Sequence, residues 1–418
     1  MGIVRYPVEC PGCEKKIVLR LAVGHDERQP FFYVCPSCQA ATRGALLWHG
    51  DARTSLELSE GKKLDSEDAC DATISINPEI PSVADAKGLE ELGGSAFLMF
   101  TSMMGIERWL AFQQATGRVL GIRASDGPAL ARLTTYYLNR DWPNFDKCLK
   151  TLTPSEHHDL SEKWKRDHII HNLYDRWLLP IYALDDTPYY PEMKKAFNAL
   201  WTASRPNFAA LVSFANREST TDDFLNVQRD LFGHIAQYTK HLGGLLPGLL
   251  CNMLPAADQS KVDDFRLFRD EYEIFRDLYI QSFETCHKAL RWVIGAVNAD
   301  SHGASDKFVI PAQVTGFPKN PPKNIDAFSE LVSANKRKWL VDLPVWDQYW
   351  DVVFDRHLRN DIGHASARHD LRTGLIHRDM NPPVAYTRFV QRVQRAIHAL
   401  VSTLNAMKMS RIYSAMKP

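Results

Sequence analysis

Two sets of side chains in this 418-residue chain have types and spacings that suit chemistry. Close to the C-terminal end, Arg359 and Asn360 stand side by side, and His364 follows four residues after the amide. A guanidinium keeps its proton at any ordinary pH and offers a planar fork to phosphate oxygens. An imidazole ordinarily titrates near neutrality and moves a proton in either direction. With an amide to orient phosphate or imidazole, these groups suit RNA cleavage without a catalytic metal: a 2′-hydroxyl loses its proton, the leaving 5′-oxygen gains one, and the guanidinium meets the charge on the phosphate. His364 is thus the candidate general acid or base, Arg359 the phosphate and transition-state stabiliser, and Asn360 the orienting group. Near the beginning, Cys10-Pro-Gly-Cys13 and Cys35-Pro-Ser-Cys38 repeat a C-P-x-C pattern with 21 residues between the pairs. Two residues between thiolates let one tight turn present both sulfurs to a tetrahedral Zn²⁺, and four sulfurs fill every coordination position. Cys10, Cys13, Cys35 and Cys38 are therefore expected to hold a structural zinc that shapes a surface and takes no part in a reaction.

Arginine followed by histidine at four to six residues recurs among the 15 histidines of the chain. Requiring Asn or Asp directly after the arginine leaves Arg166/His171, Arg229/His234 and Arg359/His364. The third alone combines an Asn, a long amphipathic helix before it and another helix after it. For the first two, interhelical salt bridges and core histidines are the favoured account, with chemistry as the lesser alternative. For the third the plain alternative is an i,i+4 ion pair of Asp355 with Arg359 and a His364 that caps a helix end beside Gly363.

The elements that must position this set are helices. Trp350, Phe354, Leu358 and Ile362 recur every four residues and draw one apolar row, whereas Arg356, Asn360 and His364 lie on roughly the opposite side. The spacing predicts a helix over Leu343 to Ala365 with one packing face and one polar face. Upstream, Phe265, Phe268, Tyr272, Phe275, Tyr279, Phe283, Cys286, Leu290, Val293 and Val297 step by three or four residues, predicting a spine of about nine turns. A Gly- and Pro-rich break from Asn298 to Asn324, a helix over Asp326 to Leu340 and a closing helix over Tyr386 to Met407 complete the set.

In that setting the Arg359-Asn360-x3-His364 stretch resembles the ribonuclease motif of the HEPN (higher eukaryotes and prokaryotes nucleotide-binding) superfamily, over roughly Val262 to the C-terminus. The resemblance implies a four-helix bundle, a composite site in which two motifs face each other, and, by analogy alone, a toxin-like or antiviral defence role. One motif offers one imidazole and one guanidinium, so an isologous homodimer is expected to double each group at its two-fold axis. The Arg229/His234 helix of the same chain is the competing source of the second half.

The remainder sets the context. Lys16 to Val23 and Pro30 to Val34 read as strands between the cysteine pairs, joined by a turn over Gly24 to Gln29, with further strands at Ala45 to Trp48 and Thr54 to Leu58, so that the N-terminal module resembles a zinc ribbon. Asn77 to Pro81 reads as a linker. Helices are expected over Phe97 to Gln114, Ala129 to Leu138, Ser155 to Leu179, Pro191 to Ala203 and Asp222 to His241. The fold class is mainly α: residues 1–76 a small β zinc ribbon with additional strands, 90–257 a helical middle domain, 260–418 the HEPN-like bundle. Lys plus Arg equals Asp plus Glu at 50 each, which argues against a molecule-wide field for nucleic acid and leaves RNA to a local patch. Five Arg and four His between Arg356 and Arg378, against Asp361 and Asp370, make such a patch. No basic segment with an apolar core opens the chain, and the apolar windows are broken by charges or prolines, so neither secretion nor a membrane span is expected. Paired and scattered cysteines suit a reducing cytoplasm. A non-catalytic nucleic-acid-binding sensor, or a scaffold docking a regulatory protein partner through the ribbon, stands as the alternative to an endoribonuclease.

Overall fold

The computed structural model describes residues 2–49, 53–67, 70–83, 96–184, 189–310, 320–364 and 366–415. The expected opening of the middle domain at 90, the centre of the Gly- and Pro-rich break and Ala365 lie outside them. Seven strands come first: β1 Ile3–Glu9, β2 Lys16–Ala22, β3 Arg28–Val34, β4 Ala41–Trp48, β5 Thr54–Leu58, β6 Lys62–Lys63 and β7 Ala72–Ile76. They form two sheets, in the orders β6-β1-β2-β7 and β3-β4-β5, closed over Tyr6, Val8, Leu19, Phe31, Tyr33 and Leu46. The strands between the cysteine pairs do not pair with each other, as the sequence alone had implied. Each pair is itself a hairpin turn, the first joining β1 to β2 and the second β3 to β4. The reversal is local: the N–H of Glu14 donates to the carbonyl of Cys10 and that of Gln39 to Cys35, both 2.9 Å, with Glu14 and Gln39 at φ 59° and 60°. A tight turn that must aim two sulfurs inward already sends the chain back along itself.

The rest of the described chain is mainly helical: β8 Ser82–Val83, α1 Ala96–Met104, α2 Ile106–Ser125, α3 Gly127–Leu138, α4 Trp142–Leu152, α5 Lys163–Tyr182, α6 Tyr189–Asn198, α7 Phe208–Glu218, α8 Asp222–Lys240, α9 Leu242–Asn252, β9 Phe265–Arg266, α10 Tyr272–His302, α11 Ile325–Ser329, α12 Ser333–Arg337, α13 Pro344–Val353, α14 Arg356–Gly363, β10 Ala367–Asp370, β11 Leu375–Arg378, β12 Val384–Ala385 and α15 Tyr386–Ser414. One apolar core runs from Ile80 to Met407, across the boundary expected near 257–260. Its axis is α15, which packs against α5 to α10 and α13 and is buried almost all round. A helix buried on every side needs partners on every side, and the middle helices supply those the C-terminal ones do not.

Several expected elements differ. The spine begins at Tyr272, because Phe265–Arg266 is a short strand and the residues from there to Glu271 form a non-helical seam. Along it β9 pairs with β8, the Phe268 carbonyl accepts from the Phe32 N–H at 2.9 Å, and Asp270 takes Arg43 at 2.8 Å and His369 at 3.1 Å. At its far end the spine closes on Gly303 at φ 74°, a left-handed cap that suits glycine. Asn77 to Pro81 is not a free linker. The Asn77 side chain accepts from the N–H groups of Glu79 and Ile80, both of which are buried, and Glu79 receives the His25 ring at 2.6 Å. The helix expected over Asp326 to Leu340 is split into α11, α12 and a 3-10 turn at Lys338–Asp342. The first middle helix breaks at Gly105, φ 84°, and α4, α7 and α9 were not expected. No described helix is long and apolar enough to cross a membrane.

The ribbon is tied to the body by a buried cation. Arg269, 3% exposed, reaches Asp26 in the β2–β3 turn at 2.8 Å and also pairs with Glu271. Burial works against its charge, but Glu271 and Asp26 hold it protonated. These acids lie against Gly243 and Gly244 at the start of α9, where a Cβ would collide with the Asp26 and Glu271 carboxylates. Arg269→Met leaves both carboxylates short of a cation, and removing one partner from a buried set of this kind costs about 3–5 kcal/mol. Denaturant unfolding should show a loss of that size.

Candidate functional site

The four N-terminal cysteines converge. Their sulfurs all lie within 4.8 Å of one another, with Cys10 to Cys38 at 3.6 Å and Cys13 to Cys35 at 3.7 Å. A tetrahedral metal with M–S bonds of zinc length separates its ligands by about 3.8 Å. The set therefore fits a four-sulfur site of that kind. The Gly12 N–H donates to the Cys10 sulfur at 3.4 Å. Burial raises the Cys35 thiol, but the N–H groups of Cys38 and Ser37 together with the Cys10 and Cys13 side chains bring it down to about 7, whereas the Cys10 thiol is pushed up, chiefly by burial.

At the other end of the chain the structure corrects the predicted helix over Leu343 to Ala365. It is broken at Phe354 and Asp355, between α13 and α14. The Tyr279 hydroxyl spans the break: it donates to the Val353 carbonyl at 2.9 Å and accepts from the Asp355 N–H at 3.0 Å. Asp355 then caps α14, accepting from the N–H groups of His357 and Leu358, and Arg392 holds its second oxygen at 2.8 Å. Burial raises the Asp355 carboxyl, but the Leu358 N–H and Arg392 win and hold it below its ordinary range. An aspartate with helix-forming residues after it is an N-cap signal, and that cue was available in the sequence. Tyr279, 76 residues away from Asp355, had none.

Despite the break, Trp350, Phe354, Leu358 and Ile362 are all buried, whereas Arg356, Asn360 and His364 are exposed. Arg359 lies between the rows. It pairs with Glu284 of α10, donates to the Asn360 side-chain oxygen at 3.2 Å and sits 5.9 Å over the Phe283 ring. Its partner is therefore Glu284, not the Asp355 that i,i+4 spacing offers. His364 is the C-cap residue of α14, its N–H bonded to the Asn360 carbonyl at 2.9 Å. The structure thus holds Arg359 and Asn360 in direct contact and sets His364 one turn on. Arg356 points elsewhere, into a pocket of about 580 Å³ shared with Arg337, Lys338 and Arg392 and floored by Trp350 and Phe354.

The rival motifs separate. Arg166 grips Asp146, Asp167 is buried between Tyr137 and Arg411, and His171 is buried against the Phe232 ring, where burial drives its pKa well down. That set is structural. Arg229 is exposed and bonded to Asn226, and the His234 ring meets the Thr285 hydroxyl at 2.9 Å. Glu284 and Thr285 are consecutive in α10, so one turn of that helix anchors both Arg359 and His234. The loop after His364 is a small sheet, β10-β11-β12, which periodicity did not reveal. Arg378 and Asn381 tie it back to Asp361. Compared with protein-family models, curated proteins and solved structures, the chain finds no match.

Beneath Arg359 lies His287, stacked on Phe283 at 4.1 Å. Its Nδ1–H donates to the Phe283 carbonyl at 2.7 Å, and its Nε2 accepts from the Trp350 indole at 3.3 Å. Burial brings its pKa to about 4, with Lys336, Arg337 and Arg359 contributing, against the Phe283 hydrogen bond. The folded value is below the unfolded one of about 6.5, so as pH falls through that window the unfolded chain takes up a proton that the folded chain refuses. Stability should fall by about 3 kcal/mol between roughly pH 6.5 and pH 4 from this residue. Chemical denaturation across that range should show a shallower fall in His287→Gln.

Proposed function

We propose that the chain is a metal-independent endoribonuclease of HEPN type, in which α10, the short helices after it, α13–α14 and α15 form the four-helix unit and Arg359, Asn360 and His364 the site. The observation that carries this reading is the two-sided character of α14. Its apolar row is buried to the last residue, and the opposite row presents an amide and an imidazole to solvent beside a guanidinium already fixed by Glu284. His364 takes the proton of the attacking 2′-hydroxyl or gives one to the departing 5′-oxygen. The 2′-oxygen bonds to phosphorus, the bond to the 5′-oxygen breaks, and the products are a 2′,3′-cyclic phosphate and a 5′-hydroxyl. Arg359 meets the charge on the non-bridging oxygens, exchanging Glu284 for phosphate.

One imidazole serves one transfer, and the second comes from a second motif. A homodimer pairing α14 across its two-fold axis is one source. The anchoring of His234 and Arg359 on consecutive residues of α10 favours a second reading, in which Arg229 and His234 complete the site within the chain. Specific activity that falls on dilution, with mass from light scattering, marks the dimer. A monomer of constant activity that is silenced by Arg229→Ala marks the intrachain site. The four cysteines hold a structural Zn²⁺, the cellular setting is cytoplasmic, and a toxin-like or antiviral role follows the family by analogy. The non-catalytic sensor or scaffold is the reading left if no cleavage is found.

His364→Ala and Arg359→Ala should each abolish cleavage of total RNA in excess chelator, with little change in melting temperature for His364→Ala because its side chain has no packing role. Wild-type rates in His364→Ala would overturn the assignment. Elemental analysis should find one zinc per chain, lost in Cys35→Ser with loosening of residues 1–45, since metal binding and folding are coupled in so small a module. The cut itself should survive metal loss in part.

A further inference from the structure

We infer that the cleft between the second cysteine turn and the β10–β11 hairpin is a phosphate-gripping anchor for single-stranded RNA, and that it feeds the strand toward His364; the inference rests on the ribonuclease reading for its direction but not for its binding. The cleft has a volume of about 390 Å³ and is lined by Gln39 and Arg43 on the ribbon side and by Arg368, His369, Asp370 and Arg372 on the hairpin side. Three guanidinium groups converge there from two parts of the chain 325 residues apart (368 minus 43). Two are already steered by carboxylates yet largely open to solvent: Arg43 on Asp270, 62% exposed, and Arg372 on Asp370, 61% exposed. Arg368 is exposed and has no side-chain partner among the described residues. His369, its side chain 3% exposed, is held through Nδ1 by Asp270 and keeps an Nε2 with no partner among the described residues.

Asp270 and Asp370 offset two of the three arginines, so the cleft keeps a net positive charge in a chain whose overall charge is zero. Planar forks spaced around an open groove suit successive phosphates of a flexible strand. Among the described residues no aromatic face lines the groove apart from the buried His369, so bases are not read there and the grip is independent of sequence. The placement relative to the motif is fixed by covalent geometry. Arg368 is four residues beyond His364, hence within about 14 Å along even a fully extended chain. The ribbon wall is rigid because the seam residues Phe268 to Asp270 bind it to the body, and its Gln39–Arg43 edge leaves directly from the cysteine turn.

The test uses full-length protein carrying His364→Ala, fluorescent oligo(U) and oligo(A), and anisotropy across a salt series. Removing two phosphate contacts with Arg368→Ala/Arg372→Ala should weaken both oligonucleotides alike, by about tenfold or more. It should also lower the slope of log affinity against log salt by about 1.4. Arg368→Lys, which keeps the charge but loses the fork, should lie between the parent and Arg368→Ala, and exposed Arg132→Ala on α3 should change nothing. In the otherwise wild-type enzyme the double variant should raise KM and leave kcat unchanged. Unchanged affinity and salt slope with an unchanged melting temperature would overturn the anchor, as would failure of the parent protein to bind either oligonucleotide. Binding that depends on these arginines in a chain that never cuts RNA would uphold the anchor while removing the nuclease reading.

Discussion

The arrangement of the whole molecule depends on one buried cation. Arg269 lies at the centre of the seam, with Asp26 from the ribbon turn on one side and Glu271, at the entrance to the spine helix, on the other. A guanidinium out of water is tolerable only when its charge is met, and here it is met by groups from two parts of the fold. Arg123 adds a second, longer contact to Asp26 at 3.5 Å. Such sets contribute little net stability compared with apolar packing. What this one supplies is registry: another orientation of the ribbon would take Asp26 away from both Arg269 and Arg123.

From that orientation the neighbouring contacts follow. With Arg269 placed, Phe268 meets Phe32, Asp270 meets both Arg43 and His369, and the Arg266 guanidinium reaches the carbonyls of Leu371 and Arg372 at 2.6 Å. Six consecutive residues thereby join the four-cysteine module, the spine and the small sheet that follows the proposed catalytic histidine. A module with a four-sulfur centre has no coordination position free for substrate. What the structure gives this module is an edge, Gln39 to Arg43, set against the β10–β11 hairpin.

The second organising device is the Tyr279 hydroxyl at the break between α13 and α14. It satisfies one carbonyl and one N–H that a helix interruption would otherwise leave buried and unpaired. The break frees α14 to follow its own axis. A short helix so capped buries two apolar residues, Leu358 and Ile362, half-buries Arg359 and Asp361, and exposes the rest. Arg359 is held between Phe283 and Glu284, and His364 is exposed at the C-cap of the helix.

Much of this was legible in the chain itself. Each C-P-x-C pair determines a turn that presents two sulfurs together because that spacing is a local geometric requirement, whereas the meeting of the two turns is made by the fold. The apolar row from Trp350 to Ile362 and the stripes of α10 and α15 determine which faces are buried, since helical periodicity is also local. Local information likewise distinguishes the exposed row of Asn360 and His364. The sequence left undetermined whatever rests on pairings between distant residues. Examples are Tyr279 with Asp355, Glu284 with Arg359, Asp26 with Arg269, and the three arginines from both ends of the chain in one cleft. Strand pairing in the ribbon, the single core around α15 and the burial of Glu79 belong to the same class. Each is chosen by the free energy of burying charge and apolar surface together, which depends on neighbours that only the folded chain brings into contact.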